Sequence, residues 1–213
     1  MIALLAVAGS LLGALLGWIV FVPILSMALP LVAATVFLRR SGLTWRDLGF
    51  MKPMPLRRCL ALGVGAAALV MLLMSVVIGP LLQALGAPPP DVSLIADAIV
   101  GNPLNYLLFL IPIAWGSAAF GEELLLRGFV LNRLGELTGL RLALPLQALL
   151  FALGHVYQGT TGMLSIFVVG LVLGYVYLRA GRNLWPPILA HGLIDTVGLT
   201  LLYLGFQDSA PPS

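Results

Sequence analysis

Charge is what this chain has least of. Lysine, arginine, aspartate and glutamate supply 9% of its 213 residues, against 61% hydrophobic residues. Soluble domains carry about 25% charged residues, so an ordinary soluble fold is excluded. A mean hydropathy of +1.09 agrees with that exclusion. Short alternating apolar segments are absent from the sequence, which excludes a transmembrane β-barrel. The single cysteine, Cys59, leaves no partner for an internal disulfide, and one thiol cannot build a metal site. It reads as a small apolar residue near a helix end. No Lys or Arg precedes the first apolar run, which is free of charged residues through residue 38. No cleaved signal peptide is therefore expected. The terminal Ala-Pro-Pro-Ser offers no prenylation box.

What is present is a succession of apolar runs long enough to span a bilayer, ~17–25 residues each. The fold class expected is all-α: a polytopic transmembrane helical bundle of about seven spans, with a polar catalytic cavity within the membrane. Pro23 and Pro30 interrupt the uncharged opening run, giving spans at about 2–21 and 24–38. Others follow at about 59–84, 104–122, 142–157, 161–179 and 186–206. Basic residues set the orientation. Arg39, Arg40, Arg46, Lys52, Arg57 and Arg58 occupy one loop, Arg133 and Arg141 another, and Arg179 and Arg182 a third. The loop 85–103 has Asp91 and Asp97 but no basic residue. Seven spans with a cytoplasmic N-terminus put every loop cation on the cytoplasmic side.

The loop 39–58 has the charge to lie along anionic lipid, or to act only in setting topology. Pro88-Pro89-Pro90 opens an extended outer loop with a short amphipathic piece. Gly9, Gly13 and Gly17, and later Gly170 and Gly174, stand four apart. Small residues at that spacing let membrane helices approach closely, so they read as packing surfaces within the bundle and do not require a dimer. Three regions result: 1–103 completes the bundle, 104–206 bears the polar motifs, and 207–213 is a short tail.

Against this background, Glu122-Glu123 followed by Arg127 stands out. Ionisable residues within membrane segments usually line a polar cavity and act on something. Glu123 and Arg127, four apart, share a helix face and suit an ion pair. Glu122 points ~100° away, free to meet a different environment as a desolvated general base. His155 follows Phe151 at helical spacing, and His191 precedes Asp195 at the same spacing. These are the only two histidines in the chain. Each reads in isolation as a hydrogen-bonded helix residue. Together, two imidazoles and one or two carboxylates from three helices could activate water for hydrolysis, through a metal or by general-base catalysis. No serine or cysteine is similarly supported.

In order and type, Glu-Glu-Leu-Leu-Leu-Arg-Gly (122–128), Phe-Ala-Leu-Gly-His (151–155) and His-Gly-Leu-Ile-Asp (191–195) resemble the three motifs of the CPBP intramembrane proteases. That family includes type II CAAX prenyl endopeptidases and bacterial abortive-infection and bacteriocin-immunity proteins. The resemblance implies that Glu122 activates water, with His155 helping to hold that water or a metal. His191 and Asp195 would stabilise the oxyanion or complete a ligand set, and Glu123 and Arg127 would organise the site. A Zn2+ held by Glu122, His155, His191 and Asp195 is one form of this site, and metal-free water activation is slightly preferred. Asp195 stands where the prenyl endopeptidases carry Asn. An anionic carboxylate is a poor oxyanion donor unless protonated, which gives a ligand or His-orienting role more weight.

The function expected is cleavage of a membrane-associated peptide or protein, prenylated or not, in a bacterial cytoplasmic membrane. Its partners are that substrate and the bilayer, with no nucleic acid. Alternatives are a non-catalytic partner-binding or bacteriocin-immunity protein and, ranked lower for want of an internal repeat, a proton-coupled transporter. One conflict follows from span counting. Glu122 falls near the cytoplasmic end of its helix and His155 toward the outer side, yet one site requires one depth. Either the fourth helix continues through about residue 135, as apolar Leu124–Leu126 and Phe129–Leu131 favour, or the fifth is tilted or short.

Overall fold

The structure, a computed structural model, describes residues 22–206, and all of its regular elements there are helical. The expected first span and the glycines at 9, 13 and 17 lie outside the described residues, as does the tail 207–213. Helix α1 is Val22–Arg40, α2 is Leu56–Ala84, α3 is Ser93–Ile99 and α4 is Pro103–Thr138. Helices α5 (Leu140–Leu153), α6 (Gly159–Arg179) and α7 (Trp185–Tyr203) complete the order. Each expected span within the described residues contains a helix, though the fifth ends at Leu153, short of the expected 157. By length and composition, α1, α2, α4 and the Val156–Arg179 segment containing α6 can cross a membrane. Helix α7 has 19 residues, but Pro186, Pro187, His191, Asp195 and two threonines dilute its apolar character. Large aliphatic side chains such as Leu29, Val32, Leu72 and Val76 are exposed on α1 and α2, as lipid-facing surfaces require.

Two helices differ in length from the sequence expectation, and the difference resolves the depth conflict. Helix α4 starts on an Asn102 cap, whose side chain accepts from the Asn105 N–H at 3.1 Å, with Pro103 in the first turn. It then runs for 36 residues to Thr138, which puts Glu122 near its middle. At ~1.5 Å per residue that is ~54 Å, longer than a ~30 Å hydrocarbon core. Over Phe109–Val130 its winding widens to i→i+5 hydrogen bonding, a departure often found at functional sites. Gly139 ends α4 with φ +79 and leads directly into α5. Helix α5 has only 14 residues, ~21 Å, so it stops short of a full crossing. His155 is therefore not inside a helix as expected. It sits in the turn after α5, at a depth α4 can reach.

The α5–α6 seam is close because two glycines allow it. A Cβ on Gly170 would come within 3.0 Å of the Ala148 backbone, and one on Gly174 within 2.6 Å of Leu144. Helices α2, α5, α6 and α7 meet in a core of Ala66, Val70, Phe151, Leu173 and Ala190. A second core joins α4 to α6 and α7 through Leu131, Tyr177, Leu184 and Ile188, with Trp45 and Phe50 packed against it. At the opposite end, α3 buries Ala96 and Ile99 against Phe109 and Leu202.

The basic loop folds back into the bundle end. Leu48 is buried, the Tyr177 hydroxyl donates to its carbonyl at 2.8 Å, and Asn183 donates to the Lys52 carbonyl at 2.8 Å. The six cations of residues 39–58 remain exposed. Asp47 beside them accepts from the Thr44 hydroxyl and N–H, which hold its carboxyl below the usual range. Gly49 is the point of closest docking: its φ is +97 and a Cβ there would overlap the Arg182 carbonyl. A left-handed residue costs ~1–2 kcal/mol and overpacking ~1–3 kcal/mol. Gly49→Ala is thus expected to lower the melting temperature of the detergent-solubilised protein by at least ~4 °C. An unchanged melting curve would show that the loop does not dock this way.

Candidate active site

Helix α4 contributes Glu122, Glu123 and Arg127, and helix α7 contributes His191 and Asp195. Glu123 lies at the centre. Its Oε1 accepts from Arg127 Nη1 at 2.7 Å and faces His191 Nδ1 at 2.8 Å. The side chains of Glu123 and Arg127 are fully buried and that of His191 nearly so. A charged pair this deep is tolerable only when both members are well bonded, and the i, i+4 spacing supplies that geometry. With Nδ1–H donating to Glu123, the other ring nitrogen of His191 faces the opposite way. Glu122 Oε2 stands 4.0 Å from His191 Nε2, and Asp195 Oδ2 stands 3.6 Å from it. Glu122 and Asp195 are the more open residues, with side chains 20% and 27% exposed. The site is thus a closed base of Glu123, Arg127 and His191 beneath a rim of two carboxylates.

Glu122 Oε2 is itself buried with no hydrogen-bond partner in the protein. A buried carboxylate oxygen needs one, and a water or a substrate group suits the position. The Phe151 ring lies between the two histidines, edge-to-face with His155 at 4.9 Å and with His191 at 5.7 Å. It also carries the Arg127 guanidinium over its face at 4.6 Å. His155 Nδ1 contacts the Phe151 carbonyl at 3.0 Å, leaving Nε2 as its free nitrogen. The structure therefore joins Glu122, Glu123, Arg127, His191 and Asp195 directly, and brings His155 alongside them through Phe151.

Several supports carry no sequence signal at the level of motifs. Trp115 packs its ring against the Gly192 backbone behind His191 and donates to Thr196 Oγ1 at 3.0 Å. A Cβ on Gly192 would come within 2.5 Å of that indole. Asn132, Tyr177 and Gln147 are buried polar side chains around the base of the site. Gln147 had a readable sign, an amide within the apolar stretch Leu140–Leu153.

Among the described residues, no group of three or more His, Cys, Asp or Glu side chains could hold a metal ion. Glu123 takes up only Nδ1 of His191, which leaves Nε2 facing Glu122 and Asp195.

Residues 103–197 match the family model described as type II CAAX prenyl endopeptidase Rce1-like. The match begins at the first residue of α4 and ends just past Asp195, so it contains the whole site. It agrees with the CPBP resemblance of the three motifs and supports, at family level, a CAAX/CPBP-type intramembrane protease. With the apolar helices it also supports an integral membrane protein. No curated protein and no solved structure matches the chain.

Proposed function

We propose that this protein is an intramembrane endopeptidase that hydrolyses a peptide bond in a membrane-associated peptide or protein, with prenylated tails one candidate class. The observation that carries the proposal is the buried, unpartnered Glu122 Oε2 facing His191 Nε2 across 4.0 Å. Glu122 takes a proton from water as the water oxygen bonds to the scissile carbonyl carbon. A His191 ring carrying both protons donates from Nε2 to the oxyanion that forms, while Glu123 holds Nδ1–H. His155 presents Nε2 to the water. When the carbon–nitrogen bond breaks, the proton on Glu122 passes to the departing amine. Asp195 orients His191 and balances its charge, in keeping with a carboxylate being a poor oxyanion donor. The exposed cations at the loop end support a cytoplasmic side for that end.

Purified protein in liposomes, given a fluorogenic prenylated peptide and a membrane-peptide library, tests this reading. Cleavage by wild type and none by Glu122→Ala is the supporting result. If both are inert while both sustain the same cellular phenotype, a non-catalytic binding role replaces the protease. A chelator is expected to leave the wild-type rate within about twofold, since the reaction needs no metal-lowered water pKa. A loss reversed by Zn2+ would restore the metal reading instead.

A further inference from the structure

The Gln147 side chain has no place in the three motifs, yet it is fully buried beside the deepest charged pair of the protein. Its Nε2 donates to the Gly170 carbonyl at 2.9 Å. The same carbonyl accepts from Arg127 Nη2 at 3.4 Å. Gly170 lets this happen, because its missing side chain brings the α6 backbone against Ala148 and Phe151 of α5. Two further atoms of these side chains are buried without partners: Gln147 Oε1, an acceptor, and Arg127 Nε, a donor. Two complementary unmatched groups thus belong to side chains already joined at one oxygen. Neither is cheap to leave unpaired, so both bear on where the guanidinium settles.

We propose that Gln147 is a positioning residue for the catalytic site. It acts through Arg127: the Gly170 carbonyl, itself held by the Gln147 amide, binds one side of the guanidinium, Phe151 holds its face, and Glu123 its other edge. A fixed Arg127 fixes the Glu123 carboxylate, and Glu123 fixes the His191 ring through Nδ1–H. Gln147 touches no reacting atom. The claim rests on the hydrolase reading for its kinetic consequence alone, since the orientation of His191 can be observed without turnover.

The chain has two histidines, so the full-length protein labelled with 15N-histidine in lipid nanodiscs gives two ring systems, assigned with His155→Ala. Wild type is expected to show the His191 Nδ1–H in a strong hydrogen bond to Glu123. In Gln147→Met, similar in length but without the amide, the His191 signals should shift and broaden as the Nδ1–H bond to Glu123 loosens. The turnover number should fall about tenfold to a hundredfold with KM within about twofold, as for a small misplacement of catalytic groups. Gln147→Asn, which keeps the amide on a shorter stem, takes the same measurement if the methionine variant does not fold. His191 signals identical to wild type in the folded variant would overturn the proposal, whatever the activity. If wild type cleaves no peptide, the hydrolase reading fails, and the histidine spectra still decide the role of Gln147.

Discussion

Glu122→Gln should leave a folded protein that cleaves peptide about 10²–10⁴ times more slowly than wild type, the range set by losing a general base. Glutamine keeps the size and shape of the side chain and removes only its ability to take a proton. Glu122 Oε2 makes no hydrogen bond within the protein, and the residue is outside the Glu123–Arg127 pair. Little stability should therefore be lost. Initial rates on a fluorogenic peptide, set beside thermal unfolding in the same detergent, separate the two effects. Residual activity near wild type would move the base elsewhere, with Asp195 the next carboxylate against His191 Nε2 at 3.6 Å. A large fall in melting temperature would show instead that Glu122 supports the fold.

Breaking the pair beneath it should have the opposite profile. Glu123→Ala or Arg127→Ala removes one member of a buried ion pair, which costs ~3–5 kcal/mol. Against a usual stability of ~5–15 kcal/mol, either change should leave a protein that unfolds readily in detergent. The double variant Glu123→Leu with Arg127→Met removes both charges at similar volume. Replacing a buried pair by packed apolar groups is often neutral or stabilising, so most of the lost stability should return. Activity should not return, because His191 Nδ1 has then lost the oxygen 2.8 Å away. Chemical unfolding of the two single variants and the double variant gives the coupling directly. Additive losses would mean that the pair is not the unit that stabilises α4.

Much of this was legible before any coordinates. Scarcity of charge and long apolar runs determine a helical membrane protein, because only helices satisfy the backbone within a single segment in lipid. The i, i+4 rule places Glu123 on Arg127 and His191 near Asp195, and both contacts are present at 2.7 and 3.6 Å. Helix periodicity also places Gly170 and Gly174 on a packing seam. Each of these is a local rule, decided by residues within one turn of each other.

What spacing could not decide is everything that depends on neighbours from other helices. The length of α4 and the early stop of α5 bring Glu122 and His155 to one depth, and hydropathy does not mark where a helix ends inside a bundle. The docking of the basic loop needs Tyr177, Asn183 and a side-chain-free Gly49, which lie far apart along the chain. The shared Glu123 oxygen joins residues 68 apart in sequence, and Gln147 and Arg127 meet at a carbonyl of a third helix. The membrane class, the motifs and the local pairs follow from composition and the helical period. Packing between helices selects which nitrogen of His191 is held, which carboxylate oxygen is left unpartnered and what braces Arg127. Those outcomes depend on distances between helices, and no local period encodes them.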